Sequence, residues 1–235
     1  MSPEEIQARL LYRDRLMLVV DKPAGLPVHA GPSGGASLED SFDVLRFGLP
    51  KPPALAHRLD QDTSGCLVLG RQRKALRRLN ALFAEGKVRK TYWALVVGQP
   101  AEDRGRISLP LRKVTDRKGW RVKADAEGQP AVTDYRVLAR GPSHAWLALS
   151  PRTGRTHQIR VHCAASGWPI LGDPLYGTSM TEPDRQGLQL HARALSLPLY
   201  PERETIEVEA PLRADMVKNL RDCVDMQGDE VCGHS

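Results

Sequence analysis

Long apolar runs are missing from this chain. No stretch approaches the roughly 18 residues that a membrane-spanning helix needs. The opening MSPEEIQARLLYRDR carries two glutamates and no apolar core of the signal-peptide kind. Cysteine is scarce. Cys66, Cys163, Cys223 and Cys232 are widely spaced and form no C-x-x-C pair, which argues against a zinc ribbon or a thioredoxin-like motif. Together these absences lead to the expectation of a soluble, cytoplasmic protein with reduced thiols and no membrane association. Internal repeats, low-complexity linkers and sharp shifts of composition are also lacking. One domain over residues 1–235 is the simplest reading, although a large sheet split into two lobes with a cleft would fit as well.

What is present is ordinary globular material with a basic excess. Hydrophobic residues make up 41% and charged residues 26% of the 235. A chain of this length buries roughly 70–75% of its unfolded surface and needs no staples. Lysine and arginine number 34 against 28 acidic residues, a net charge of +6. That balance suits a polyanionic partner, though many basic proteins bind no nucleic acid.

Strand patterns outnumber helix patterns. LMLVVDKPAG reads as a buried strand ending in a turn, and CLVLG, KTYWALVVG, AVTDYRVLAR, AWLALSP, LQLHARALSLPL and TIEVEAP read as further strands. SLEDSFDVLRFG has Ser37 as a helix cap with Asp40 three residues on. RKALRRLNALFAEG places Leu76, Leu79, Leu82 and Phe83 on one face and Arg73, Lys74, Arg77 and Arg78 on the other, with Gly86 as the stop. THQIRVHCAASGWP reads as a helix ended by Gly167, and RADMVKNLRDC as a closing helix before a flexible tail over about 223–235. Residues 99–130 suggest hairpins and loops. Strands and helices do not alternate strictly, so the expected class is α+β: a mixed, mainly antiparallel central sheet with flanking helices and a catalytic cleft.

Three stretches concentrate chemistry. HRLDQDTSG, residues 57–65, sets His57, Arg58, Asp60, Asp62, Thr63 and Ser64 between apolar segments. A carboxylate there can act as nucleophile or as acid–base group; the plainer reading is an Asx-type turn. SPRTGRTHQIRVHCAASGWPILGDPLYG, residues 150–177, gathers Arg152, Arg155, His157, Gln158, Arg160 and His162. An arginine-rich helix start can grip phosphates, and the alternative is a solvated basic face. A metal site through His157, His162 and Cys163 has the wrong spacing. KTYWALVV puts Tyr92 on a small-residue strand face, where it would line a cleft or simply pack in a core. GPSGG, residues 31–35, matches the G-x-S-x-G elbow of serine hydrolases around Ser33, but the chain lacks the β-α alternation of that fold.

Taken together, HRLDQDTSG, KTYWALVVG and TGRTHQIRVHCAASGWPILGDPLYG resemble the signature segments of RluA-type pseudouridine synthases, and VVDKPAGLPVHAG resembles the strand and loop that open their catalytic domain. The resemblance covers about residues 12–210 and implies the pseudouridine synthase fold. It also implies isomerisation of a uridine in RNA, by detaching the base and rejoining it through C5, without cofactor or metal. Asp60 then matches the essential aspartate, Tyr92 the tyrosine that stacks on the base and joins in proton transfer, and Arg160 the basic residue that pairs with Asp60. Ile159 would pack in the pocket and Arg58 would occupy the space of the extruded nucleotide. His57, Thr63, Arg155, His157 and Gln158 complete the expected substrate-binding set. Asp21 and Cys66 depart from the residues usual in the family. With about fifteen residues ahead of the first expected strand, no separate N-terminal RNA-binding domain is expected. RNA selection is therefore expected to rest on the catalytic domain's own surface, including the basic helix 73–85 and the segment 112–123. The partner expected is a transfer or ribosomal RNA stem-loop, with a slight tilt to transfer RNA; no obligate protein partner is evident. The rival readings are a non-catalytic RNA-binding factor on the same fold and a hydrolase at Ser33.

Overall fold

The computed structural model of the chain describes residues 1–31, 34–116, 119–177 and 187–229. They divide into two compact units. The first holds Met1–Lys90 and Ala192–Pro211, the second Thr91–His191 and the chain from Leu212. Among the described residues no helix is long and apolar enough to cross a membrane. Cys66 and Cys163 are free and buried.

The first unit opens with α1 (Pro3–Ala8), capped by a reciprocal Ser2–Glu5 box with proline in its first turn. Strands β1 (Leu10–Arg13), β2 (Met17–Lys22), β3 (Ala54–Leu55) and β4 (Ser64–Gly70) follow, with a 3-10 helix over Glu39–Leu45 between β2 and β3. The expected Ser37 cap takes a different form. The Ser37 backbone N–H donates to the Asp40 carboxylate at 2.7 Å, and only a 3-10 segment forms. β2 and β4 pair antiparallel from Met17↔Gly70 to Lys22↔Gly65. β11 (Leu190–Leu197) lies beside β4, and β12 (Ile206–Glu209) pairs antiparallel with β11.

Every residue of β4 is buried, so its short apolar run reads as a central strand. Each fully buried leucine there contributes roughly 1.5–3 kcal/mol. Gly65 is obligatory, because its φ of +105° is one that side chains avoid and a Cβ would meet the Ala192 carbonyl oxygen at 2.3 Å. Helix α2 (Arg73–Ala84) turns Ala75 and Leu79 inward and leaves Arg73, Lys74, Arg77 and Arg78 exposed, as its periodicity predicts.

The second unit contains β5 (Arg89–Val97, from Thr91 on), β6 (Arg104–Ser108), β9 (Val132–Arg140) and β10 (His144–Pro151), in the order β5-β10-β9-β6 with antiparallel pairing throughout. β7 (Leu111–Asp116) and β8 (Gly119–Ala124) form a separate antiparallel pair. On one sheet face Ala94, Val96, Leu147 and Leu149 pack with Ile159 and Cys163 of α3 (Gln158–Ala165). On the other, Leu95 and Trp146 pack with Met216 of α4 (Ala214–Asp229). Helix α4 runs past 223, where the sequence suggested a tail; residues 230–235 lie outside the described set. These connections give the α+β class with mainly antiparallel strands that the pattern implied.

Candidate active site

In the first unit the polar stretch 57–65 is a tightly held turn leading into β4. Thr63 N–H donates to Asp60 O at 3.1 Å, and buried Leu59 and Thr63 anchor its two ends. Asp60 itself is half-buried and Arg58 is exposed. The strongest clamp comes from Lys22, which is 0% exposed. Its Nζ donates to Pro23 O at 2.7 Å, Leu26 O at 2.8 Å and Gln61 O at 2.8 Å. A buried ammonium is tolerated only when each of its donors is matched, and three carbonyls match three donors. Gly25 N–H also donates to Gln61 O at 3.0 Å, and Gln61 Nε2 donates to Gly25 O. The loop after β2 thus fixes the residue next to Asp60. Sequence reading missed Lys22; its signal was a lysine ending a buried strand against Pro23.

His57, expected among the substrate contacts, serves the fold. Its Nε2 accepts the Val68 N–H at 3.0 Å, and its ring stacks on Phe83 at 4.5 Å. Burial, aided by the nearby Lys90 charge, pushes its pKa down to about 3, so the ring is neutral at neutral pH.

In the second unit Tyr92 sits opposite Leu149 in the β5–β10 register, partly buried on the α3 side of the sheet. The alternative of a solvated basic face does not hold for the helix itself, because Gln158 to Cys163 are all buried. Each polar member is satisfied by a distant part of this unit. Gln158 Nε2 donates to Val132 O at 2.9 Å and Thr133 Oγ1 at 3.0 Å, and its Oε1 accepts from Thr153 Oγ1 and Arg155 N. With its amide filled, Gln158 holds loop 153–155 to β9 rather than reaching toward a ligand. His162 bonds Thr133 Oγ1 and Leu109 O, and burial lowers its pKa.

Arg160 is 3% exposed and donates through Nε and Nη2 to the two carboxylate oxygens of Asp173 at 2.8 and 2.7 Å. Asp173 also accepts the Leu175 and Tyr176 N–H groups at 2.9 and 3.1 Å. This bidentate geometry orients the guanidinium. The sequence expectation named Asp60 as the partner of Arg160 and overlooked Asp173, although Asp173 is the sole acidic residue between 150 and 177. The Tyr176 ring lies under the Arg160 guanidinium at 5.2 Å. Its hydroxyl bonds His157 Nδ1 at 2.8 Å and accepts the Val122 N–H at 3.0 Å.

His157, the residue before α3, has a left-handed φ of 52° and lies 5.1 Å from the exposed ring of Trp120. Ile159 is buried in the core beside Tyr92. Arg155 is exposed, with its Nε on Pro130 O. Ser33 lies outside the described residues.

A family model described as RNA pseudouridylate synthase matches residues 16–165. An uncharacterized RNA pseudouridine synthase of Zymomonas mobilis is 45% identical over 206 residues, spanning 87% of this chain and 93% of that one. The ribosomal large subunit pseudouridine synthase C of Vibrio parahaemolyticus is 35% identical over 226 residues, spanning 92% of this chain and 69% of that one. Among solved structures, human RNA pseudouridylate synthase domain containing 4 matches with a TM-score of 0.79 at 29% identity, covering 93% of this chain and 94% of that one.

Proposed function

The chain belongs to the RNA pseudouridylate synthase family and is an RNA pseudouridine synthase; we propose that it acts on folded segments of ribosomal or transfer RNA, with Asp60, Tyr92 and Arg160 carrying the reaction. The observation that carries the assignment of Asp60 is its anchored turn, pinned from below by the buried Lys22 ammonium on Gln61 O. A carboxylate is a weak nucleophile, so orientation and exclusion of water matter more than basicity.

In this reading the target nucleotide leaves its stack at a cost of a few kcal/mol. The Asp60 carboxylate attacks the sugar C1′, the C1′–N1 bond breaks, and the electron pair departs with the uracil. The base turns, C5 forms the new bond to C1′, and the carboxylate is released. The proton on C5 is lost and N1 gains one. Tyr92 stacks on the base and takes part in that proton movement. Arg160, oriented by Asp173, supplies positive charge to the anionic groups of the reaction. Arg58 takes the space of the extruded nucleotide, Ile159 presents an apolar wall, and Arg155 and His157 contact phosphate or sugar. Thr63 supports the Asp60 turn from its buried position.

The RNA is identified by mapping. Ribosomal and transfer RNA pools lacking pseudouridine are incubated with the protein, treated with a carbodiimide that marks pseudouridine, and read by primer extension. New stops at defined uridines in one pool are expected; no stop in either pool contradicts the proposed substrates. Tyr92→Phe should lower kcat more than it raises KM, and a normal kcat would restrict Tyr92 to stacking.

A further inference from the structure

Arg104 and Arg136 stand directly opposite each other across the β6–β9 pair, and Arg106 stands opposite Asp134. Strand alternation puts all four on one face of the second unit's sheet. The intervening residues define the other face. A Cβ on Gly105 would meet the Tyr135 ring at 2.6 Å, so the missing side chain makes room for that ring. Tyr135 packs edge-on against Trp168 at 5.3 Å, in the same core as Tyr92 and α3. The arginines therefore occupy the reverse of the face that carries Tyr92.

Charge on this reverse face is unbalanced. Asp134 accepts from Arg106 Nε at 2.6 Å and from Arg152 Nε at 2.7 Å, so one carboxylate serves two guanidiniums that are 63% and 62% exposed. Arg104 and Arg136 are exposed and make no ion pair or side-chain hydrogen bond among the described residues. The next acidic neighbour, Asp103, is engaged by Arg140. Like charges directly opposite each other destabilise a strand pair. Protection of a sheet edge explains charge on the outer strand β6. It does not explain Arg136 on the inner strand β9.

We propose that this arginine square is a second RNA contact, gripping the phosphate backbone of the substrate away from its target nucleotide. Backbone positions about 6.8 Å apart along a strand and about 4.8 Å apart across strands carry guanidiniums whose forks suit phosphate oxygens. Trp93, on the same face, packs into the core with Leu95 and Trp146. The square thus holds backbone rather than reading bases. The inference rests on RNA being the substrate of this enzyme, the polyanion its reaction already requires.

The test is the double variant Arg104→Ala/Arg136→Ala in the full-length protein, compared with wild type for binding to a transfer RNA pool and to large-subunit ribosomal RNA across a salt series. Its urea midpoint should be unchanged or higher, since two opposed like charges are gone, whereas a structural role would lower it. Affinity for the RNA that wild type modifies should fall about 10-fold at low salt, and the log–log salt slope should shrink by about 2. Turnover at saturating RNA should be kept. Wild-type turnover with unchanged affinity and slope in the variant overturns this inference alone. Wild type that neither binds nor modifies either RNA overturns the substrate reading and this one with it. Polyglutamate binding lost in the variant while RNA binding is kept would assign the square to an acidic protein and also overturn it.

Discussion

Asp173 holds the second unit's buried arginine in place, and its carboxylate accepts four hydrogen bonds. Breaking such a pair strands a buried cation. Asp173→Asn should therefore cost about 3–5 kcal/mol of stability, read from urea unfolding, and lower kcat wherever the variant still folds. A loss below about 1 kcal/mol would mean that the pair carries little of the fold. The pairing was within reach of the sequence, because a buried arginine needs an acidic partner and the stretch 150–177 offers one. What hid it was the exposed look of an arginine- and histidine-rich helix, whose burial depends on partners as far away as Leu109 and Thr133.

His57 makes a pH prediction. Its folded pKa of about 3 lies below the unfolded value near 6.5, so the unfolded state takes up a proton that the folded state refuses. Its contribution to stability is complete above pH 6.5 and is lost as pH falls from there toward 3, with a slope of up to about 1.4 kcal/mol per pH unit. His162, also depressed, adds in the same direction. His57→Gln can still accept the Val68 N–H but does not titrate. Its stability should fall less steeply than wild type between pH 6.5 and 4.5. Parallel profiles by urea unfolding would refute the assignment of His57 as a half-buried neutral acceptor.

Among the elements, the turn before β4 carries the main structural claim about Asp60. Lys22→Met fills similar volume but removes the donor from three carbonyls; Gln61 O keeps the Gly25 N–H, while Pro23 O and Leu26 O lose their ammonium at about 1–3 kcal/mol each. The variant should lose about 3 kcal/mol or more and most of its turnover, with faster hydrogen exchange at the Gly25 amide, which shares Gln61 O with Lys22. Wild-type exchange at Gly25 would show that the turn is held by other contacts.

Strong local patterns were legible at this scale. α2 and the strands β2, β4, β5, β9 and β10 follow from apolar periodicity and glycine stops. α1 carries the S-x-x-E cap signal with a proline between, but its six residues bury Ile6 alone and so show no apolar period. The 37–49 segment shows helical spacing yet forms a 3-10 helix. There the Asp40 side chain takes the Ser37 N–H, and the N-terminal residue Leu38 supplies no side-chain cap.

For the whole molecule, the division into two compact units left no mark in composition. The chain passes from the first unit to the second inside β5, between Lys90 and Thr91, and returns inside β11, between His191 and Ala192. A boundary that cuts through strands has no linker to betray it. The basic balance was legible from the start; its concentration on Arg104, Arg106, Arg136 and Arg152 was not, because strand register sets it. Family membership was carried by three separated segments, which the comparisons support along most of the chain.

The measurement that tests the central claim most directly is tritium release from RNA labelled at C5 of uridine, run on separate transfer and ribosomal pools with wild-type protein and Asp60→Asn. Isomerisation frees the C5 tritium, so the account predicts release by wild type from one pool, none by Asp60→Asn, and RNA binding by the variant within a few fold of wild type. Release by Asp60→Asn at the wild-type rate would contradict the role given to Asp60, and no release by wild type from either pool would contradict the proposed substrates.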